Sequence, residues 1–470
     1  YAKQVPFVED NGRVIVGVGR VKKIKESEFY EGSNKKFKAA YWEHMIHHSI
    51  RDEEKEGFLL PYKEALDYQI ENPEFNPADL AVFSPKDKTL EFSYGAEHVS
   101  NDSALRVLLD FNKSIEKAKE LGIGNNHDKQ LQWIHDTIHE LEVLRGDYPG
   151  MGAALCALGL KKGHFIAAEI INSCKQEENP WEIFDQIIDG KIDILSDSTA
   201  SELTRMAVKT YLRYRKKEDK TRLNYLYLLS RFDLSQEQAT LLWSLENRDQ
   251  LLYAFSDKDF VENPYLIYQA TRRTEFPVDF STIDLAMYRK NQSDEVFQNI
   301  FLKDNLDERR LKALSIKLLD DASSQGHTLL PRKFIINQIH SLSLNPKAEP
   351  NSDHMEVAEE MFGDHIEVIE LKNEEIAYQL DLYRKTQKII NEKLKRSLKG
   401  ERLKVEANWR DLLNEKLIKH TDGEPDEKEL KARSEKAVAL NEIAESRFSV
   451  LIGPAGTGKT TLLELLANHS

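Results

Sequence analysis

The spacing of apolar and polar positions changes character near residue 103. Before it, two periods mix. Arg13-Val14-Ile15-Val16-Gly17-Val18-Gly19-Arg20-Val21 sets β-branched residues among small ones and predicts a strand. Phe37 to Arg51 carries helical spacing, while Asp79 to Phe83 and Thr89 to Tyr94 predict strands around the turn Pro85-Lys86-Asp87-Lys88. From about Ser103 the apolar positions fall on helical spacing, through Leu105, Val107, Leu108, Leu109, Ile115 and Ala118, and again from Gln130 to Leu144. Short polar turns interrupt that texture until about residue 345. Asn345 to Asn351, with two prolines, reads as a linker. Glu374 to Leu398 predicts a long amphipathic helix stopped at Lys399-Gly400. The charged stretch Thr421 to Arg433 then leads into the last segment. No repeat of fixed period is present.

This pattern predicts a mainly α protein with an N-terminal α+β domain over 1–102 and a helical domain with hairpin-like elements over 103–345. A helical linker or accessory region over 346–425 follows, then the start of a nucleotide-binding α/β domain over 426–470. The length of 470 residues agrees, being enough for about three domains with separate cores. Charged residues at 31% and apolar residues at 40% exclude a disordered chain. A formal net charge of −14 excludes a surface coated all round for nucleic acid, yet leaves room for a local basic track. Cys156 and Cys174 are too few for a disulfide framework or a zinc site. They are expected as buried small hydrophobes in a reducing compartment. No apolar run reaches the ~18 residues of a membrane span, so a cytoplasmic protein without membrane contact is expected.

The sharpest chemistry lies close to the last residue. Phe448-Ser449-Val450-Leu451-Ile452 predicts a strand, Gly453-Pro454-Ala455-Gly456-Thr457-Gly458-Lys459-Thr460 is a complete P-loop, and Thr461-Leu462-Leu463-Glu464 opens a helix. Glycines let backbone N–H groups converge on phosphate oxygens, and the helix start adds its own free donors. Lys459 is expected to reach the β- and γ-phosphates of ATP, and the Thr460 hydroxyl to ligate Mg²⁺. Residues Gly453 to Thr461 are thus the candidate nucleotide site, with Lys459 and Thr460 as its catalytic pair. A P-loop opens a sheet that needs further βα units. The sequence therefore reads as the N-terminal part of a larger ATPase, and its opening on Tyr1 suggests that the native start lies upstream.

Two stretches are candidates for DNA. Asp147-Tyr148-Pro149-Gly150-Met151-Gly152 forms a turn between helical patterns. Its Gly150 and Gly152 either present backbone N–H groups to a phosphate or let two helices pack closely. Lys209 to Lys217, with Lys220 and Arg222, interleaves basic and aromatic residues. Arg213, Tyr214, Arg215, Lys216 and Lys217 either hold phosphates and stack bases or form a solvated helix face with tyrosines in the core. His44, His47 and His48 share one short stretch but have no acidic or Cys partner at ligand spacing. Asp79 and Glu91 are spaced as nuclease carboxylates are across two strands. Phe92-Ser93 follows where such a pattern places a lysine.

Taken in order, several of these stretches resemble RecD-like DNA helicases of superfamily 1. Asn263-Pro264-Tyr265 looks like the segment linking that family's helix–hairpin–helix units. Asp307-Glu308-Arg309-Arg310-Leu311, followed by Gln325-Gly326-His327-Thr328-Leu329-Leu330-Pro331, is similar to its arginine-rich helix and the element after it. Leu380 to Leu394 resembles the helix before its first motor domain, and Phe448 to Leu463 its first ATPase motif. The resemblance spans roughly residues 220 to 470. It implies an ATP-dependent helicase or translocase, moving 5′→3′ on single-stranded DNA or DNA ends in repair or anti-phage defence. Two departures limit it. Lys436 stands where the family has an adenine-reading Gln, so adenine selectivity does not carry over. Residues 1–100 and Glu401 to His420 match nothing in the family, and the first of these suits a protein partner. Two other classes fit the same features: a regulatory or defence ATPase with an N-terminal sensor, and a non-catalytic DNA-docking scaffold.

Overall fold

The computed structural model describes residues 13–25, 56–92, 99–175, 178–217, 220–287, 302, 304–418, 427–454 and 456–469, with short strand segments at 2–3, 28–31, 38–42 and 45–48. It is mainly helical with a few small sheets. Contacts divide it into two compact units, 1–378 and 379–470.

The first unit opens with short antiparallel pairings. Strands β1 (Ala2–Lys3), β2 (Val14–Ile15), β3 (Gly17–Gly19), β4 (Val21–Lys25), β5 (Glu28–Glu31), β6 (Lys38–Trp42), β7 (Met45–His48) and β8 (Gly57–Leu59) precede helix α1 (Tyr62–Glu71) and strand β9 (Val82–Phe83). β2 pairs with β1 and β9, β3 with β8, β4 with β7 and β5 with β6. Two sequence expectations change here. Phe37 to Arg51 is not helical: β6 and β7 occupy it, because short apolar runs rich in aromatic and β-branched residues fit either period until a partner strand decides. Thr89 to Phe92 is not a strand but the second half of a 3₁₀ segment, Lys86–Phe92. The Thr89 hydroxyl donates to the carbonyls of Pro85 and Lys86 at 3.2 and 3.0 Å, which closes the chain on itself and leaves no extended edge. Asp79 and Leu80 likewise belong to a 3₁₀ turn before β9. Ser93 and Tyr94 lie outside the described residues.

Helices α2 (Asn101–Leu121) and α3 (His127–Arg145) form an antiparallel pair. One buried cluster joins them to the sheet: Val14, Ile15, Leu60 and Val82 pack with Leu105, Leu108, Phe111, Ile115 and Ile134. The core thus runs across residue 102. Then follow α4 (Met151–Leu158), α5 (Gly163–Ser173), α6 (Pro180–Ile188), α7 (Asp197–Ala200), α8 (Met206–Lys216), α9 (Thr221–Ser230) and α10 (Gln236–Trp243). Cys156 in α4 and Cys174 after α5 are half-buried, where full burial was expected. Helices α11 (Asp257–Glu262), α12 (Tyr265–Thr271), α13 (Phe280–Met287), α14 (Glu308–Ser324), α15 (Arg332–His340) and α16 (Ser352–Glu359) complete the helical part. A last sheet, in the order β10 (Leu330–Pro331), β12 (Ile376–Leu380), β11 (Ile366–Glu370), sets Leu330 opposite Tyr378. The helix expected from Glu374 therefore begins only after β12, whose residues are held by the ladder.

In the second unit α17 (Asp381–Ser397) is followed by α18 (Trp409–Ile418), α19 (Glu427–Glu445) and α20 (Lys459–His469). Trp409, Leu413, Leu440, Ala444, Leu462 and Leu465 bury one another and hold the last three helices together. Phe448 to Ile452 forms no strand. A strand exists by pairing, and no described segment of this unit pairs with it.

Candidate functional site

The P-loop is the site with the most complete chemistry. Gly456 and Gly458 sit at φ +79° and +82°, the left-handed region that side-chain-bearing residues rarely adopt. A Cβ at Gly453 would stand 3.0 Å from the Thr457 hydroxyl oxygen, so a side chain there would crowd the turn. Thr457 Oγ1 donates to the Pro454 carbonyl at 2.9 Å and fixes the bend. Helix α20 begins at Lys459, and its first turn carries no acidic residue. The Lys459 ammonium turns back onto its own loop and donates to the carbonyls of Gly453 and Pro454 at 2.5 and 2.6 Å. Thr460 and Thr461 begin the helix, with Thr460 exposed. Ala455 lies outside the described residues.

These features fit a phosphate and its Mg²⁺. The loop is shaped by glycines, two of them at positive φ, and among the described residues its lysine is held by nothing stronger than neutral carbonyls. An exposed threonine hydroxyl stands at the helix start. A phosphate replacing the two carbonyls would convert neutral hydrogen bonds of Lys459 into charge-assisted ones, roughly twice as strong. Lys436 of α19 also lies here: a Cβ on Gly458 would stand 3.4 Å from its Nζ.

The basic–aromatic stretch proves to be two populations. Tyr211 is fully buried and its hydroxyl is 2.9 Å from both Asp185 and the Tyr227 hydroxyl. Burial pushes that phenol far above its ordinary range. Arg215 donates to Asp189 at 2.5 Å and Asp185 at 2.9 Å, which hold its charge firmly on. Both are structural. Arg213, Lys216 and Lys217 are exposed and, with Lys209 and Leu212, line a shallow groove. Tyr214 packs edge-on against Trp243 at 6.0 Å, with Arg213 and Lys217 each 5.6 Å from its ring centre. The carboxylates that claim Arg215 come from α6 and its end, too far along the chain for local spacing to reveal.

Gly150 and Gly152 serve packing. The Gly150 N–H donates to the Ser230 carbonyl at 2.9 Å, so it is not turned outward to a phosphate. A Cβ there would fall 1.9 Å from the Phe232 carbonyl oxygen, and one on Gly152 2.5 Å from the His164 ring. The alternative of close helix contact is the one the structure adopts, because both positions are buried, Gly150 against backbone and Gly152 against His164. His47 and His48 lie in β7, not on a helix, and His44 falls outside the described residues. Among the described residues no group of three or more His, Cys, Asp or Glu is placed to hold a metal. Asp79 pairs with Lys117 at 2.8 Å, and Glu91 accepts from the Ser100 N–H at 2.9 Å; both are spent on local structure.

One network went unread in the sequence. Arg310 of α14 is fully buried, bidentate on Asp284 of α13 at 2.8 and 2.7 Å, and it also donates to the carbonyls of Asn305 and Pro346 at 3.0 and 2.9 Å. The Tyr265 hydroxyl donates to the same Asp284 at 2.5 Å. It joins the Asn-Pro-Tyr segment to the arginine-rich helix. The signal was the chain order of the two motifs, and its physical content is one buried carboxylate.

Comparison with known proteins gives little beyond this. No model of a known protein family matches the chain, and no solved structure matches it significantly. A protein of Methanocaldococcus jannaschii described as uncharacterized is 21% identical over 512 aligned positions, covering 99% of this chain and 41% of the relative. The chain thus spans less than half the length of that relative. Among the described residues no helix is long and apolar enough to cross a membrane.

Proposed function

We propose that this chain is the N-terminal part of an ATP-dependent DNA motor, a RecD-like helicase or translocase. In this reading a RecA-like P-loop domain begins near residue 426 and is completed by further sequence. The observation that carries the reading is the loop at Gly453 to Thr460. Two of its glycines have positive φ, among the described residues its lysine is satisfied only by carbonyls of the same turn, and the first turn of its helix lacks acidic residues. Lys459 would neutralise the β- and γ-phosphates and Thr460 would ligate Mg²⁺, while Gly453, Gly456 and Gly458 keep the loop open to the phosphate chain. Single-stranded DNA would meet the exposed cations of α8, Arg213, Lys216 and Lys217, beside the Tyr214 ring. Arg215, Gly150 and Gly152 take no part, being occupied within the fold.

The test is ATP hydrolysis by the full-length natural protein, with and without single-stranded DNA, for the wild type and Lys459→Ala. The reading expects turnover stimulated by DNA, lost in the variant, and unwinding of a duplex with a 5′ overhang. Turnover that ignores DNA would sink the motor assignment and leave a regulatory ATPase. Unchanged turnover in Lys459→Ala would remove the phosphate cradle itself.

A further inference from the structure

Lys436 sits on α19, and α19 is fixed on both sides of it. Three residues before it, Arg433 is buried and bound to Glu429 at 2.6 Å and Asn414 at 3.3 Å. Four residues after it, Leu440 is buried against Leu462 and Leu465 of α20. Helical spacing places 433, 436, 437 and 440 along one side of α19, and that side runs past the start of α20. The consequence is the position of the Lys436 ammonium. A Cβ built on Gly458 would lie 3.4 Å from Nζ and 4.0 Å from Cε, so the lysine tip lies against the glycine that immediately precedes Lys459.

Nothing among the described residues takes up that charge. Lys436 makes no ion pair with a described carboxylate, although Glu429, Glu442 and Glu445 of the same helix all pair with arginines. Its tip stands beside Gly458, the residue immediately before Lys459. The first turn of α20 adds no acidic residue. Two half-buried lysines thus stand along one glycine turn at a helix start, Lys436 beside Gly458 and Lys459 on the Gly453 and Pro454 carbonyls. A helix start that has two lysines beside it and no acidic residue in its first turn favours an anion.

We infer that Lys436 is a second phosphate-binding cation of this loop, so that the site grips the polyphosphate chain of a nucleoside triphosphate from two sides and reads charge ahead of the base. This rests on the P-loop reading above. A lysine ammonium is a donor-only point charge. It suits phosphate oxygens well, and it offers no donor–acceptor pair to distinguish adenine from guanine.

The experiment is calorimetric titration of the chain with ATP, GTP and inorganic tripolyphosphate, each with Mg²⁺. The variants are Lys436→Ala, Lys436→Gln, Lys436→Arg and Lys459→Ala, each checked for an unchanged thermal transition. Loss of one charge-assisted phosphate contact is expected to weaken all three ligands by about tenfold or more in both Lys436→Ala and Lys436→Gln. Lys436→Arg should retain binding, and the wild type should bind ATP and GTP with similar affinity. Unchanged affinities in the Ala and Gln variants, with Lys459→Ala still weakened, would overturn the role of Lys436 and leave the P-loop reading standing. Weakening confined to ATP would make Lys436 a base-reading residue, which also overturns it. If neither lysine matters to any ligand, the P-loop reading falls as well.

Discussion

Helices α14 and α20 begin in opposite ways. At the start of α14 the chain supplies its own anions. Asp307 caps the helix by accepting from the Arg309 N–H at 3.0 Å and holds the Arg309 guanidinium at 2.9 Å, while Arg310 is matched by Asp284. The first turn of α20 has no acidic residue, and Lys459 leans on two backbone carbonyls. Both are basic residues at a helix start, where a negative partner is favoured by the free N–H groups. One partner is built in; in the proposed reading the other is a nucleotide phosphate. A cation already committed to a carboxylate holds the fold, and a cation held by neutral groups alone is available to a ligand.

The comparison breaks most visibly at Arg310. Arg310→Ala leaves Asp284 buried and uncompensated, and a loss of about 3–5 kcal/mol in unfolding free energy is expected. A denaturation midpoint close to wild type would mean that Asp284 finds another partner and that the α14 network is not what secures these helices. Next in size is Lys459→Ala. Nucleotide binding by the chain should fall by about a hundredfold, the scale of one strong charged contact in a phosphate site, with the melting temperature unchanged. A matching loss of stability would show that Lys459, too, is committed to the fold.

Lys312, two residues after Arg310, sharpens the contrast because it is buried on the same helix yet gains no carboxylate in compensation among the described residues. Burial alone pushes its ammonium down to about 8 from 10.5. Below pH 8 the folded chain carries the full penalty of a buried charge. Between about 8 and 10.5 the unfolded chain holds a proton that the folded chain has shed, so stability rises with pH across that window. Lys312→Met should therefore be more stable than the wild type at neutral pH, by on the order of 1–2 kcal/mol, and the difference should close as pH rises towards 10.5. A difference independent of pH would assign the gain to packing.

The smallest effect per side chain is expected on α8, where committed and available cations alternate. Replacing Arg213, Lys216 and Lys217 together by Ala should weaken single-stranded DNA binding and lower its log–log salt slope by about 0.7 for each lost phosphate contact. Arg215→Ala should instead lower stability without altering the slope. If affinity falls in the triple variant while the slope holds, those side chains do not contact phosphate.

How much of this could be read from residues alone follows the same division. The glycines and lysine of the P-loop were legible because their chemistry is contiguous, and the long helices because ten or more positions share one period. The stretches at 37–51 and 89–94 were not, since a short apolar run accepts either period and its partners decide. The split of α8 into two populations was illegible for a related reason. Arg213 and Arg215 differ only in what lies opposite, and Asp185 and Asp189 arrive from another helix. Lys436 could be placed in the sequence, but its approach to Gly458 depends on how α19 packs against α20.

The packing at Gly150 also bears on inheritance. With a carbonyl oxygen 1.9 Å from where a Cβ would stand, no single substitution at this position is compatible with the present path of the chain after α9. Selection therefore sees position 150 and the Leu229–Phe232 bend as one character. A descendant can change the residue only after, or together with, a shift of that bend. Among diverging relatives, a side chain at the equivalent of Gly150 would mark a lineage in which α4 and α9 have moved apart, and its retention would date the present helix spacing to their common ancestor.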